Sequence, residues 1–145
     1  MNKKRCKSYF VLFQTVASLG TNRIVSVDGP FKGSAADVTI ARESIIPQML
    51  PDERLLADAG YRHENCNHMI VAPGGQSASM TSTEREFAGQ VHSARQVVER
   101  LYSRMQEFNV IKGVWRFDLD FLGDVFMAVA QITNYKLKYL PLNRK

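Results

Sequence analysis

The chain has 145 residues, 45% hydrophobic and 23% charged, with 19 Lys and Arg against 14 Asp and Glu for a net charge of +5. This is enough for one domain with a real core, and no apolar run approaches the ~18 residues a membrane span needs. Cys6 and Cys66 are too few for a disulfide framework, so a reducing, intracellular setting is expected, and the opening "MNKKRCKSYF" lacks the apolar stretch of a secretory signal.

The basic surplus gathers at the two ends, at Lys3, Lys4, Arg5 and Lys7, then Lys136, Lys138, Arg144 and Lys145. Such ends read either as solvated termini or as an attraction to phosphate backbones. The run "KKRCK" also fits a nuclear-import signal, which favours the nucleus.

In chain order, "SYFVLFQTVA" at 8–17 is rich in aromatic and β-branched residues and predicts a strand. "SLGTNR" supplies turn residues and "IVSV" at 24–27 the returning strand, giving a hairpin; "DGPFKGS" at 28–34 then predicts a loop. A helix is expected over 35–49, capped by Ser34 and Asp37, with Val38, Ala41, Ile45 and Met49 along one side. Short strands follow at "RLLA", running into Asp58, and at "MIVA", 69–72. Thr83 and Glu86 predict a second capping box. Behind it Phe87, Val91, Ala94, Val98, Leu101, Met105 and Phe108 form an apolar stripe over about six helical turns. A last helix over roughly 119–134 is mostly apolar and is expected to be largely buried. The order β-β-α-β-β-α-α implies one mixed sheet covered by helices in a single domain.

The acids carry the chemistry. "LLADAGYR" places Asp58 between an apolar strand and Gly60, where a buried, unpaired carboxylate costs several kcal/mol unless a cation, hydrogen bonds or solvent meets it. Asp58 is a candidate metal ligand, or else a turn residue capping its own backbone. Glu99 sits about 100° around the long helix from the apolar stripe, at the border of core and solvent. It pairs with Arg95 one turn earlier, or it faces Asp58 and shares a divalent ion, since hard cations take carboxylate oxygens. Asp37 is explained by capping and Asp28 by its turn. A rival cluster, His63, Cys66 and His68 with Cys6, matches no familiar zinc spacing. Phosphate-binding glycine loops and the nucleophile-elbow motif are absent.

Taken in order, these stretches resemble the endonuclease domain of Harbinger (PIF-type) DDE transposases and the cellular proteins derived from them. "NKKRCKSYFVLFQTVASLGTNRIVSV" is similar to the family's lysine-led strand pair with its central glutamine, here Gln14. "GPFKGSAADVTI" resembles the Gly-Ser-x-x-Asp segment, "LLADAGY" the strand ending in the second catalytic acid, and "ARQVVERLYSRMQEF" the Arg-x-x-x-Glu helix bearing the third. "ITNYKLKYLPL" resembles the closing helix with its asparagine, Asn134, and the likeness spans about residues 3–142.

The resemblance implies an RNase H-like mixed sheet flanked by helices. It makes Asp58 and Glu99 catalytic, metal-holding acids and Asp37 and Arg95 accessory residues. It also implies two magnesium or manganese ions, a DNA phosphodiester substrate and, in some relatives, a separate DNA-binding partner protein. The family's first acid belongs on a strand upstream of "NKKR", so residues 1–145 are expected to lack that central strand, with an impaired or inactive site. Three functions therefore compete: a truncated metal-dependent nuclease, a domesticated non-catalytic DNA- or partner-binding protein, and a decayed transposon remnant.

Overall fold

The structure, a computed structural model, describes residues 10–57, 61, 68–71 and 80–142. Its main elements are β1 (Val11–Ser18), β2 (Arg23–Lys32), α1 (Asp37–Glu43), β3 (Leu55–Ala57), β4 (Met69–Val71), α2 (Ser82–Met105) and α3 (Asp120–Lys136). The element order is the expected one. The strands, however, form two separate pairs, β1–β2 antiparallel and β3–β4 parallel. A single continuous sheet is not formed among the described residues.

The hairpin follows its local chemistry. Val, Phe, Thr and Ile fill the strands, and Asn22 takes the left-handed turn conformation at φ 53°. The loop expected over 28–34 is instead mostly strand, because β2 continues through Asp28 to Lys32. The register slips between Leu12 and Gln14, and Gly29 takes the irregular position at φ 136°. A Cβ there would lie 2.7 Å from the Phe13 ring and 2.8 Å from the Leu12 carbonyl oxygen, so only glycine fits.

The helix expected over 35–49 ends at Glu43. Pro47 has no N–H to continue the ladder, and the chain passes into a 3-10 turn, Ile46–Gln48. The predicted Ser34–Asp37 cap is also absent. Ala36 is the N-cap and Asp37 the first helical residue, leaving its charge to act on the helix dipole alone. The long helix starts two residues before the expected box: Thr81 accepts from the Glu84 N–H while the Glu84 carboxylate accepts from the Thr81 N–H at 2.7 Å. "TSTERE" holds two overlapping matches to that pattern, and the earlier one gives the longer helix.

The last helix is less buried than its composition implies. Leu122, Phe126, Val129, Ala130 and Thr133 face inward, but Phe121 is 62% exposed and Ile132 47%. The core joins one side of α3 to Leu101 and Met105 of α2 and Ile24 of β2. Phe13 and Phe126 lie parallel across it, ring centres 4.1 Å apart.

One side chain ties α3 to the hairpin. The Asn134 Oδ1 accepts from the Ile24 N–H at 2.9 Å, and its Nδ2 donates to the Ile24 carbonyl at 2.8 Å. The amide thus takes the place of a neighbouring strand on the outer edge of β2. Asn134→Leu leaves both backbone groups of the buried Ile24 unpaired, with an expected loss of about 2–3 kcal/mol. Urea unfolding should show a lowered midpoint at unchanged slope.

A second tie is ionic. Glu107 accepts from Lys136 of α3 and from Arg104 at 3.1 Å. The Lys136 hydrogen bond first, then that of Arg104, holds the Glu107 carboxyl below the usual glutamate range. The Thr81 backbone N–H does the same for Glu84. With folded values below unfolded ones, the unfolded chain binds more protons in that interval. The stabilisation is therefore present above the ordinary glutamate pKa, about 4.3, and is lost as pH falls through the lowered values. Melting temperature measured on descent below that range should fall, and fall less steeply in Glu107→Gln.

Candidate functional site

Between the two strand pairs lies a cavity of about 960 Å³. β1 from Leu12 to Ser18, with Leu19 of the turn after it, forms one wall, and Leu55, Leu56 and Ala57 of β3 form the other. Asp37, Ile40 and Ala41 of α1 and one side of α2 complete it. The α2 contribution is Arg95, Val98, Glu99 and Tyr102, an i, i+3, i+4, i+7 set that is one helical face by geometry. That face lies beside the buried set Val91, Leu101 and Met105. Packing of one stripe into the core therefore turns the next toward the cavity.

Three of the four residues singled out from the sequence border this cavity. Asp37, Arg95 and Glu99 are all exposed and all line this cavity. Arg95 and Glu99 are not ion-paired to each other; the described ion pairs involve Glu107 instead. The surface-pair reading of Arg95 and Glu99 is thus not what the structure shows. Asp58 lies outside the described residues. Ala57, the residue before it in sequence, lines the cavity. Cys6, His63 and Cys66 also lie outside, while the His68 Nδ1 is 3.0 Å from the Glu53 carbonyl oxygen.

Gln14 is positioned from β1 into the same space. The Ser44 hydroxyl has one proton and two acceptors, the Ile40 carbonyl at 2.8 Å and the Gln14 Oε1 at 3.1 Å, so α1 and β1 are linked across one corner of the cavity. Residue pattern alone did not single out Ser44 or Tyr102. Tyr102 was recoverable, standing seven residues after Arg95 and so on the same helical face. Ser44 was not, because its role depends on the helix ending where Pro47 ends it.

The charged groups on these walls are the carboxylates of Asp37, Glu53 and Glu99 and the guanidinium groups of Arg54 and Arg95, which suit a hard divalent cation or a phosphate. Among the described residues, though, no three His, Cys, Asp or Glu side chains converge closely enough to hold a metal ion. Those residues by themselves do not make a metal centre. No helix among them is long and apolar enough to cross a membrane.

A mixed α/β domain with small sheets, flanking helices and acids on a shared cavity is compatible with a nuclease of the DDE class. The chain belongs to the DDE superfamily endonuclease family, whose pattern matches residues 1–134. Neither the curated proteins nor the solved structures contain a match to it.

The exposure of Arg95 and Glu99 and the lack of an ion pair between them separate any function from folding. Arg95→Ala and Glu99→Ala should each change the free energy of unfolding by less than about 0.5 kcal/mol in urea titrations. A larger loss would assign the pair to the architecture.

Proposed function

We propose that this chain is a transposase-derived nuclease domain of the Harbinger type, acting on DNA phosphodiesters with magnesium or manganese. Asp58 and Glu99 hold the ion, and Asp37 and Arg95 are accessory. Family membership supports the reaction class. The observation that carries the assignment of residues is that the end of β3 at Ala57, the start of α1 at Asp37 and the Glu99 face of α2 all border one cavity.

Bound there, a divalent ion supplies a Lewis acid that activates the attacking oxygen and steadies the leaving one. The protein's own part is electrostatic. Arg95 brings a fixed guanidinium to the same face of α2 as Glu99, where it holds a non-bridging phosphate oxygen by charge-assisted hydrogen bonds. The basic ends draw the duplex in, and binding weakens with salt accordingly. The expected setting is the nucleus, with a separate DNA-binding partner for target choice.

The net charge of +5 favours a second reading, a domesticated protein that binds DNA without cleaving it. Asp58→Ala separates the two, since non-catalytic binding is indifferent to it.

Thermal melting with and without manganese tests the metal site. At about ten times the dissociation constant a single ion adds about 1.4 kcal/mol, a rise of several degrees. That rise should be lost in Asp58→Asn and in Glu99→Gln. Equal shifts in all three proteins would remove these two acids as ligands.

A further inference from the structure

We infer that α3 is the contact surface of a homodimer, pairing antiparallel with the α3 of a second copy about a two-fold axis. The inference goes beyond the nuclease reading and stands without it, since no residue of α3 lines the cavity that Asp37 and Glu99 border. Its basis is a second apolar stripe on this helix, apart from the one in the core.

Leu122, Phe126, Val129, Ala130 and Thr133 face the core. Phe121, Val125, Ala128, Ile132, Tyr135 and Tyr139 follow a different line, in alternating steps of four and three residues. At 100° and 1.5 Å per residue, that line runs about 120° around the helix from the buried one and about 27 Å along it. The helical path reaches past Lys136 to include Tyr139: the Leu140 N–H donates to the Lys136 carbonyl at 2.9 Å, and the Tyr139 ring centre lies 5.4 Å from that of Tyr135. Tyr135 is 58% exposed and Tyr139 68%, so this side is uncovered among the described residues. Alternating four- and three-residue steps make the narrow seam of a paired helix rather than the broad face a helix lays on a sheet.

The stripe is complementary to itself, which makes a second copy the occupant. Laid antiparallel with the two-fold axis at the level of Ala130, Phe121 of each copy meets Tyr139 of the other, Val125 meets Tyr135 and Ala128 meets Ile132. The small Ala128 beside the axis lets the helices approach closely. The charges agree. Asp124, Gln131 and Lys138 stand seven residues apart along one exposed flank of the stripe, and antiparallel pairing brings equivalent flanks together. Asp124 of each copy then faces Lys138 of the other, at both ends of the contact. Neither has an ion-pair partner among the described residues, and the Lys138 Nζ lies 5.6 Å from the Tyr135 ring centre, beside the seam. Within residues 1–145, those outside the described ones bring only Met1 and Tyr9 as large apolar side chains, too few to cover six positions. The seam itself carries no charge, which disfavours a nucleic acid.

The test is sedimentation equilibrium of the full chain. Expected is a mass that rises from one chain to two over micromolar concentrations, as a small interface gives. Ile132→Asp sets a carboxylate into the seam from each copy and should weaken association at least about tenfold. Asp124→Lys and Lys138→Glu each oppose like charges at both ends and should each weaken it about fivefold. Mixed in equal amounts, these two variants restore opposite charges at both contacts, so their heterodimer should form about as tightly as the parent dimer. All three positions are exposed, and circular dichroism checks that the variants fold. If Ile132→Asp misfolds, the charge variants decide without it. A chain that stays monomeric throughout would overturn the proposal, whether the stripe is then bare or covered by other residues of the protein. Association indifferent to a folded Ile132→Asp would overturn it too, as would a mixture that associates no better than its components.

Discussion

The paired hydrogen bonds between Asn134 and Ile24 set the geometry on which the remainder of the domain depends. An edge strand exposes backbone donors and acceptors that must find partners or water. Here a helix covers that edge with a single amide, which matches one donor and one acceptor of one residue. This places α3 over the hairpin at a defined depth, and the approach is close. A Cβ at Gly123 would meet the Gly29 carbonyl oxygen at 3.4 Å. With the depth set, Phe126 stacks on Phe13 and the core closes around Ile24, Leu101 and Met105.

The same constraint reaches the acids through α2. Leu101 and Met105 are locked in the core, and a helix cannot rotate one stripe without rotating the next. Glu99 and Arg95 are thereby directed to the cavity by residues that have no chemistry of their own. Lys136 and Arg104 on Glu107 pin the far end of α2 to α3 and resist the same rotation. Among the described residues the two strand pairs share no strand pairing, and the cavity lies between β1 and β3.

Much of this was legible in the residues. The heptad-like spacing from Phe87 to Met105 marked α2, and the turn residues around Asn22 marked the hairpin. What failed, failed for physical reasons. Gly29 and Pro30 read as a loop, yet an irregular strand tolerates them once the partner strand slips its register to match. Pro47 shortened α1, a rule that the apolar spacing from Val38 to Met49 had overridden. α3 looked largely buried because composition counts apolar residues without asking what covers them; among the described residues only one face has a neighbour. The separation of the sheets had no trace in local pattern, since pairing between distant strands leaves none; only the family likeness, which puts a strand between the hairpin and β3, pointed to it. Asp37, Arg95 and Glu99 were found by residue pattern and by family likeness, whereas their shared cavity belongs to tertiary structure.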